Sequence, residues 1–229
     1  IPNCMTADGP AGLRIAPECG VTTTAWPCAT LLAATWNPNV VYQVGAAGGK
    51  EVKENNIAAW LTPALNIHRS PLCGRNFEYY SEDPLLAGVL AGAMVKGIQS
   101  QGVAATVKHF ALNNKETDRK HSDSRVSERA AREIYLKAFE YVIKGAKPWA
   151  VMSSYNIING CYASENKELL EDILRDEWGF DGMVTTDWWT LGEHYKEVKA
   201  GNDMKMACGD PKRLKEAMDQ GLLTRQDLE

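Results

Sequence analysis

Paired cysteine spacings, an excess of positive charge, long apolar runs and low-complexity linkers are all missing from this sequence, and each absence removes a class of protein. The cysteines (Cys4, Cys19, Cys28, Cys73, Cys161 and Cys208) form no CxxC and no paired Cys/His spacing, which excludes the usual structural zinc sites and thioredoxin-type redox motifs. They read as free thiols, because a chain of 229 residues can build its core without disulfide staples, and this points to a reducing, cytoplasmic setting. Lys and Arg number 25 against 29 Asp and Glu, a formal net charge of −4; nucleic acid or an anionic membrane would reward the opposite sign. A neutral or weakly charged ligand is expected instead. Apolar stretches such as Val89 to Val95 are interrupted by glycine and fall well short of the ~20 residues a membrane-spanning helix needs. The start, Ile1-Pro2-Asn3-Cys4-Met5, lacks the basic and long apolar regions of a secretory leader and reads like the inside of a fold.

What is present is an alternation. Past Pro38, short β-rich runs at Ala59 to Pro63, Val103 to Lys108, Trp149 to Ser153 and Met183 to Asp187 are each followed by a stretch with helical spacing, the pattern of βα units on a parallel sheet. The helices are expected over Pro84 to Gln101, Ser127 to Gly145 and Glu165 to Gly179, with Ser127 as an N-cap and Gly145 and Gly179 as stops. A strand-like run at Asp203 to Met206 and helices at Pro211 to Gln220 and from Thr224 continue the series. The fold class is therefore α/β, a (β/α)8 TIM-barrel-like plan, with residues 1–229 as a single domain. A complete barrel takes eight units and ~250 residues, so the barrel is expected to be incomplete. Trp26, Trp36, Trp149 and Trp178 sit in apolar patterns and are expected in the core. His68, His121 and His194 read as surface or packing residues.

Polar clusters recur at one place in every unit, just after the strand. They are Arg69 to Pro84, Lys108-His109-Phe110 with Asn113 to Arg119, Met152 to Asn156, and Thr185 to Trp189. In a parallel barrel these loops share the face at the C-terminal strand ends, where such enzymes keep their sites. The pooled chemistry is one strand-end carboxylate (Asp187) facing cations (Arg75, Lys108, Arg119), an imidazole (His109), a phenol (Tyr155) and indoles. Neighbouring cations are expected to hold the Asp187 carboxyl down and ionised, as a nucleophile requires. Indoles beside fixed hydrogen-bond donors suit a sugar, whose C–H face stacks on an aromatic plane while its hydroxyls take polar partners. Taken alone, Asp187 reads equally well as a helix N-cap, and Glu78, Glu82 and Asp83 as a loop closing on a helix start.

These residues also carry a resemblance. Asp8-Gly9-Pro10-Ala11-Gly12-Leu13-Arg14, Gly74-Arg75-Asn76-Phe77-Glu78 through Pro84, Lys108-His109-Phe110-Ala111 through Arg119, Met152-Ser153-Ser154-Tyr155-Asn156 and Gly182-Met183-Val184-Thr185-Thr186-Asp187-Trp188 resemble, in order, the signatures of glycoside hydrolase family 3, the β-glucosidase and β-xylosidase group. The resemblance implies Asp187 as the nucleophile of a covalent glycosyl-enzyme intermediate. It implies Asp8, Arg75, Lys108, His109 and Tyr155 as sugar contacts, Met152 and Trp188 as pocket lining, and Arg119 near the pocket. The implied reaction is retaining hydrolysis of a β-linked oligosaccharide or glycoside, releasing terminal β-D-glucose or a similar sugar, with no metal or organic cofactor. The Lys108 loop lacks the Gly-x-His segment of the N-acetylglucosaminidase branch, so the acid/base is implied to be a Glu on a partner α/β-sandwich domain absent from these residues. Where the family shows Asp-Leu-Glu-Met-Pro, this chain has Asp203-Met204-Lys205-Met206-Ala207. The competing readings are a Schiff-base aldolase using Lys108 and an inactive sugar-binding barrel fragment; nothing in the sequence sets the oligomeric state.

Overall fold

In the computed structural model, which describes residues 3–228, the strands are β1 (Thr6–Ala7), β2 (Ala59–Trp60), β3 (Ala104–Phe110), β4 (Asp123–Ser124), β5 (Ala150–Ser153), β6 (Ile157–Ile158), β7 (Cys161–Tyr162) and β8 (Met183–Thr186). Five of them form one curled parallel sheet in the order β1-β2-β3-β5-β8, an incomplete barrel of the expected kind. The pairings put Ala59 beside Thr6, Ala104 beside Ala59, Thr106 beside Ala150, and Ala150 beside Met183. All five strands therefore point their C-terminal ends the same way. A small sheet, β4-β6-β7, lies within the loops after β3 and β5 and has no counterpart in the sequence expectations. The run expected as a strand at Asp203 to Met206 makes only a parallel bridge from Met204 to Thr185. It still runs along β8, because the amides of Asp203 and Met204 donate to Val184 O at 2.8 and 3.2 Å and Thr186 N–H donates to Met204 O at 2.9 Å.

The helices pack on the outside of this sheet: α1 (Ala29–Ala34), α2 (Pro38–Glu54), α3 (Pro84–Gln99), α4 (Glu128–Ala130), α5 (Lys137–Ala146), α6 (His194–Lys199) and α7 (Pro211–Asp219). Three of them start with the same device, α7 through Asp210, which accepts from Lys212 N before Pro211. Asp83 accepts from Leu85 N and Leu86 N before Pro84, and Asn37 accepts from Asn39 N and Val40 N before Pro38, so orphan amides are satisfied where proline needs no partner. Helices α2 and α3 touch backbone to backbone: a Cβ on Gly97 would lie 2.3 Å from Tyr42 O, and one on Gly45 2.7 Å from Met94 O. Glycine at this contact is a packing requirement rather than a break.

The expected helix from Ser127 is present but interrupted. Ser127 caps Ala130 N, residues Ala131–Tyr135 wind with a wider π turn, and the end falls at Ala146 with Lys147 left-handed (φ 51°). Gly145 is not the stop. Glu168–Glu177 is also π-wound and ends before Gly179 (φ 72°). The core between sheet and helices centres on Phe110 of β3, which meets Phe139 of α5 edge-on at 5.0 Å and Trp178 at 5.8 Å. Trp178 is buried as expected, whereas Trp36 is 74% exposed and Trp149 49%. Trp36 sits beyond the end of α1 with φ 52°, and Trp149 precedes β5, so an apolar neighbourhood in sequence did not translate into a core-facing position. Among the described residues no helix is long and apolar enough to cross a membrane.

Candidate active site

The parallel register makes the site. Asp8 directly follows β1, Arg75 lies on the loop after β2, Lys108 and His109 are in the last half of β3, Met152 is in β5, Tyr155 lies two residues beyond it, and Asp187 directly follows β8. Together with Arg119, Trp188 and Trp189 they line one cavity of about 600 Å³, within the roughly 300–1,000 Å³ range of small-molecule clefts. Neighbouring residues on a regular strand point to opposite faces. Here the β3–β5 register shifts between Val107 and Phe110, and both Lys108 and His109 reach the cavity.

Asp8 accepts from Lys108 Nζ and from Arg14 Nη2, each at 2.6 Å. Burial alone would push the Asp8 carboxyl up, but Lys108, the Gly9 amide and Arg14 hold it below the usual range. Arg75 is bonded through Nε to Glu78, a side chain only 2% exposed that also lies 4.0 Å from Lys108 Nζ. Glu78, read from sequence as part of a closing loop, is thus a wall of the cavity and the counter-ion of Arg75. Arg75 Nη2 donates to His109 Nε2 at 2.7 Å. Burial first, then Arg75, Lys108 and Arg119, push the His109 imidazole well below its ordinary value. A neutral ring accepting at Nε2 must carry its proton on Nδ1, which faces Tyr79 Oη at 3.4 Å; Tyr79 in turn donates to Asn113 O at 3.2 Å.

Two supporting residues had no sequence signal. Asn66 clamps the His109 peptide from both sides, donating to its carbonyl and accepting from its amide at 2.9 Å each. His68 Nε2 lies 2.9 Å from Asn76 O and 3.0 Å from Tyr79 O, buttressing the loop that presents Arg75. An Asn or His in a loop looks the same in sequence whether it faces solvent or a backbone.

Asp187 is 7% exposed. Its Oδ1 accepts from the Trp188 amide at 2.7 Å, whereas the buried Oδ2 has no hydrogen-bond partner and lies 4.0 Å from His109 Nε2. An unpaired buried carboxylate oxygen is costly and is the natural acceptor or nucleophile toward a ligand. The sequence expectation about its acidity is corrected: burial outweighs the Trp188 amide, Arg75, Lys108 and Tyr155, and the Asp187 carboxyl is pushed up. The physical reason lies in the pairing, since Arg75 and Lys108 are bonded to Glu78 and Asp8 rather than to Asp187. The Tyr155 phenol is pushed up in turn, by burial and then by the neighbouring Asp187 charge. The Arg119 guanidinium stacks over the Tyr155 ring at 4.5 Å and pairs with Glu116 at 3.0 Å.

The Asp203 to Ala207 departure also resolves. Lys205 is bonded to the fully buried Glu197 and donates to Gly192 O at 3.1 Å and Thr190 Oγ1 at 3.2 Å. Glu197 accepts further from Thr190 at 2.7 Å and Ser164 at 2.8 Å. The pair ties down the loop that follows Asp187, and leaving either partner uncompensated would cost about 3 to 5 kcal/mol. Among the described residues no group of three or more His, Cys, Asp or Glu is placed to hold a metal ion.

The Glycosyl hydrolase family 3 N terminal domain matches residues 1–229. The chain is 66% identical over 229 residues to beta-glucosidase A of Butyrivibrio fibrisolvens, covering 100% of this chain and 28% of that protein. It is 47% identical over 215 residues to an exo-alpha-(1->6)-L-arabinopyranosidase of Bifidobacterium longum, covering 90% of this chain and 28% of that protein. Among solved structures, beta-glucosidase 3B from Thermotoga neapolitana in complex with glucose aligns with a TM-score of 0.96 at 49% identity, over 100% of this chain and 34% of that one. The chain therefore spans between 28% and 34% of the length of these relatives.

Proposed function

Because the chain belongs to glycosyl hydrolase family 3, we propose that residues 1–229 carry the nucleophile of a retaining glycosidase that releases terminal β-D-glucose from a β-linked oligosaccharide or glycoside. The observation that carries the reading is the buried Oδ2 of Asp187, which accepts no hydrogen bond on a carboxylate that pairs with no cation directly, in a cavity where Asp8 is bonded to Lys108 and Glu78 to Arg75. In the first step Asp187 Oδ2 attacks the anomeric carbon, the C1–O bond to the leaving group breaks, and a general acid protonates the departing oxygen. Water then attacks the glycosyl ester, gives up its proton to the same group acting as base, and frees the sugar and Asp187. Asp8, Lys108, Arg75 and His109 take the sugar hydroxyls, and their mutual hydrogen bonds fix them before substrate arrives. Met152 and Trp188 close the pocket, and Arg119 holds the Tyr155 ring beside Asp187.

The acid belongs elsewhere in the complete enzyme, on a partner α/β-sandwich domain. The carboxyls lining the cavity besides Asp187 are Asp8 and Glu78, and both sit in ion pairs with cations. Glucose is favoured as the sugar by the names of the 66% identical relative and of the structural neighbour. The arabinopyranosidase relative shows how near another pyranose lies. A Schiff-base role for Lys108 is not favoured, because its Nζ is bonded to Asp8 rather than free to attack a carbonyl. A reducing, cytoplasmic setting belongs to the same proposal and rests on the unpaired cysteines. The test is stereochemical: proton NMR of the complete enzyme acting on an aryl β-D-glucoside should show β-glucose appearing first. Initial release of the α-anomer would contradict a double displacement at Asp187.

A further inference from the structure

The cavity changes character with depth. Its deepest polar groups are buried, with His109 1%, Lys108 2%, Glu78 2% and Tyr155 6% exposed, whereas the aromatics Phe77 and Trp189 at its mouth are 49% and 59% exposed. For a sugar with its hydroxyls paired at the floor and C1 against Asp187, the leaving group would face the open mouth, where these rings stand.

Trp189 is held there at a conformational cost. Its φ is 53°, a left-handed conformation that bulky side chains rarely adopt and that persists only where the surroundings over-determine it. Both of its backbone polar groups are fastened: the amide donates to Met206 O at 3.3 Å, and the carbonyl accepts from Lys120 Nζ at 2.8 Å. Lys120 comes from the loop after β3, far away in sequence, and the same ammonium lies 5.1 Å from the Tyr155 ring centroid. The two backbone hydrogen bonds touch no residue of the sugar floor; the Lys120 contact with the Tyr155 ring does, and the test below separates it.

We propose that Trp189 is a specificity-determining residue that stacks on the leaving group, and that Lys120 is the positioning residue that fixes it. This rests on the glycosidase reading above and deepens it. The chemistry favours leaving groups with a flat or C–H-rich face, an aryl ring or a second pyranose, over small ones.

The test compares two substrates in the complete enzyme: an aryl β-D-glucoside, whose leaving group reaches Trp189, and β-D-glucosyl fluoride, whose leaving group does not. Trp189→Gly removes the ring and relieves the left-handed backbone, so its melting temperature should match or exceed that of the parent. The ratio of kcat/KM between aryl glucoside and fluoride should fall roughly three- to ten-fold, the range of a lost stacking contact, mainly through KM. Lys120→Met should lower the same ratio by less, Lys120→Arg should restore part of it, and the Trp189→Gly/Lys120→Met double variant should be no worse than Trp189→Gly alone. An unchanged ratio in Trp189→Gly overturns the proposal. Equal losses on both substrates in Lys120→Met overturn the positioning role, because they would report an effect through Tyr155. Failure of the parent enzyme on both substrates would instead contradict the glycosidase reading itself.

Discussion

Replacing Asp187 with Asn in the complete enzyme is expected to lower kcat on β-D-glucosides by on the order of 10⁴- to 10⁶-fold, the scale of removing a covalent nucleophile, while raising thermal stability at neutral pH. The two effects share one cause. Burial pushes the Asp187 carboxyl up, so the native state pays for keeping it ionised. For a carboxyl raised on folding, that penalty is full above the native value, shrinks as pH falls through it, and is gone below the unfolded value near 4. The amide side chain carries no such penalty and can still accept from the Trp188 amide. Thermal melts of parent and variant should therefore differ most at pH 7 and converge on acidification. A variant less stable than the parent at pH 7 would mean that Arg75 and Lys108 stabilise Asp187 more than burial opposes it.

The second large effect concerns the proton donor. Residues 1–229 expressed alone should hydrolyse cellobiose with a kcat/KM roughly 10² to 10⁴-fold below that of the complete enzyme, the contribution of a general acid. A substrate needing little protonation, such as a 2,4-dinitrophenyl glucoside, should lose far less. The comparison separates a missing acid from a misfolded chain, which would lose both. Equal rates on cellobiose would require a donor within these residues, and Asp8 is unsuited to that role because Lys108 holds its carboxyl below the usual range.

The strand-end clusters were legible because chemistry and topology reinforce each other. A polar run directly after an apolar strand can only be a loop, and parallel strands bring all such loops to one face, which is where Asp187, Lys108, His109, Arg75 and Tyr155 are found. Helix α2 has no counterpart among the sequence expectations: its Gly45 and Gly49 fit against α3 and its Gly48 against the Trp60 ring, contacts that only the folded chain brings together. Strand β1 is two residues long, too short for any periodicity, yet it delivers Asp8. Trp36 and Trp149 misled because composition near a residue does not say which face it occupies. The acidity of Asp187 was misjudged for a related reason. Sequence counts the cations near a carboxylate but not the competing carboxylates, and Glu78 and Asp8 claim Arg75 and Lys108 first. Likewise nothing in the sequence paired Lys205 with Glu197 or Lys120 with the Trp189 carbonyl, because each pair forms only when separate loops meet.

The most direct measurement is covalent trapping. Incubation of the complete enzyme with 2-deoxy-2-fluoro-β-D-glucosyl fluoride should add the mass of one fluoroglucosyl group, and digestion should locate it on Asp187, with no adduct in Asp187→Asn. An adduct on any other side chain, or sustained turnover by an enzyme that never acquires one, would contradict the assignment.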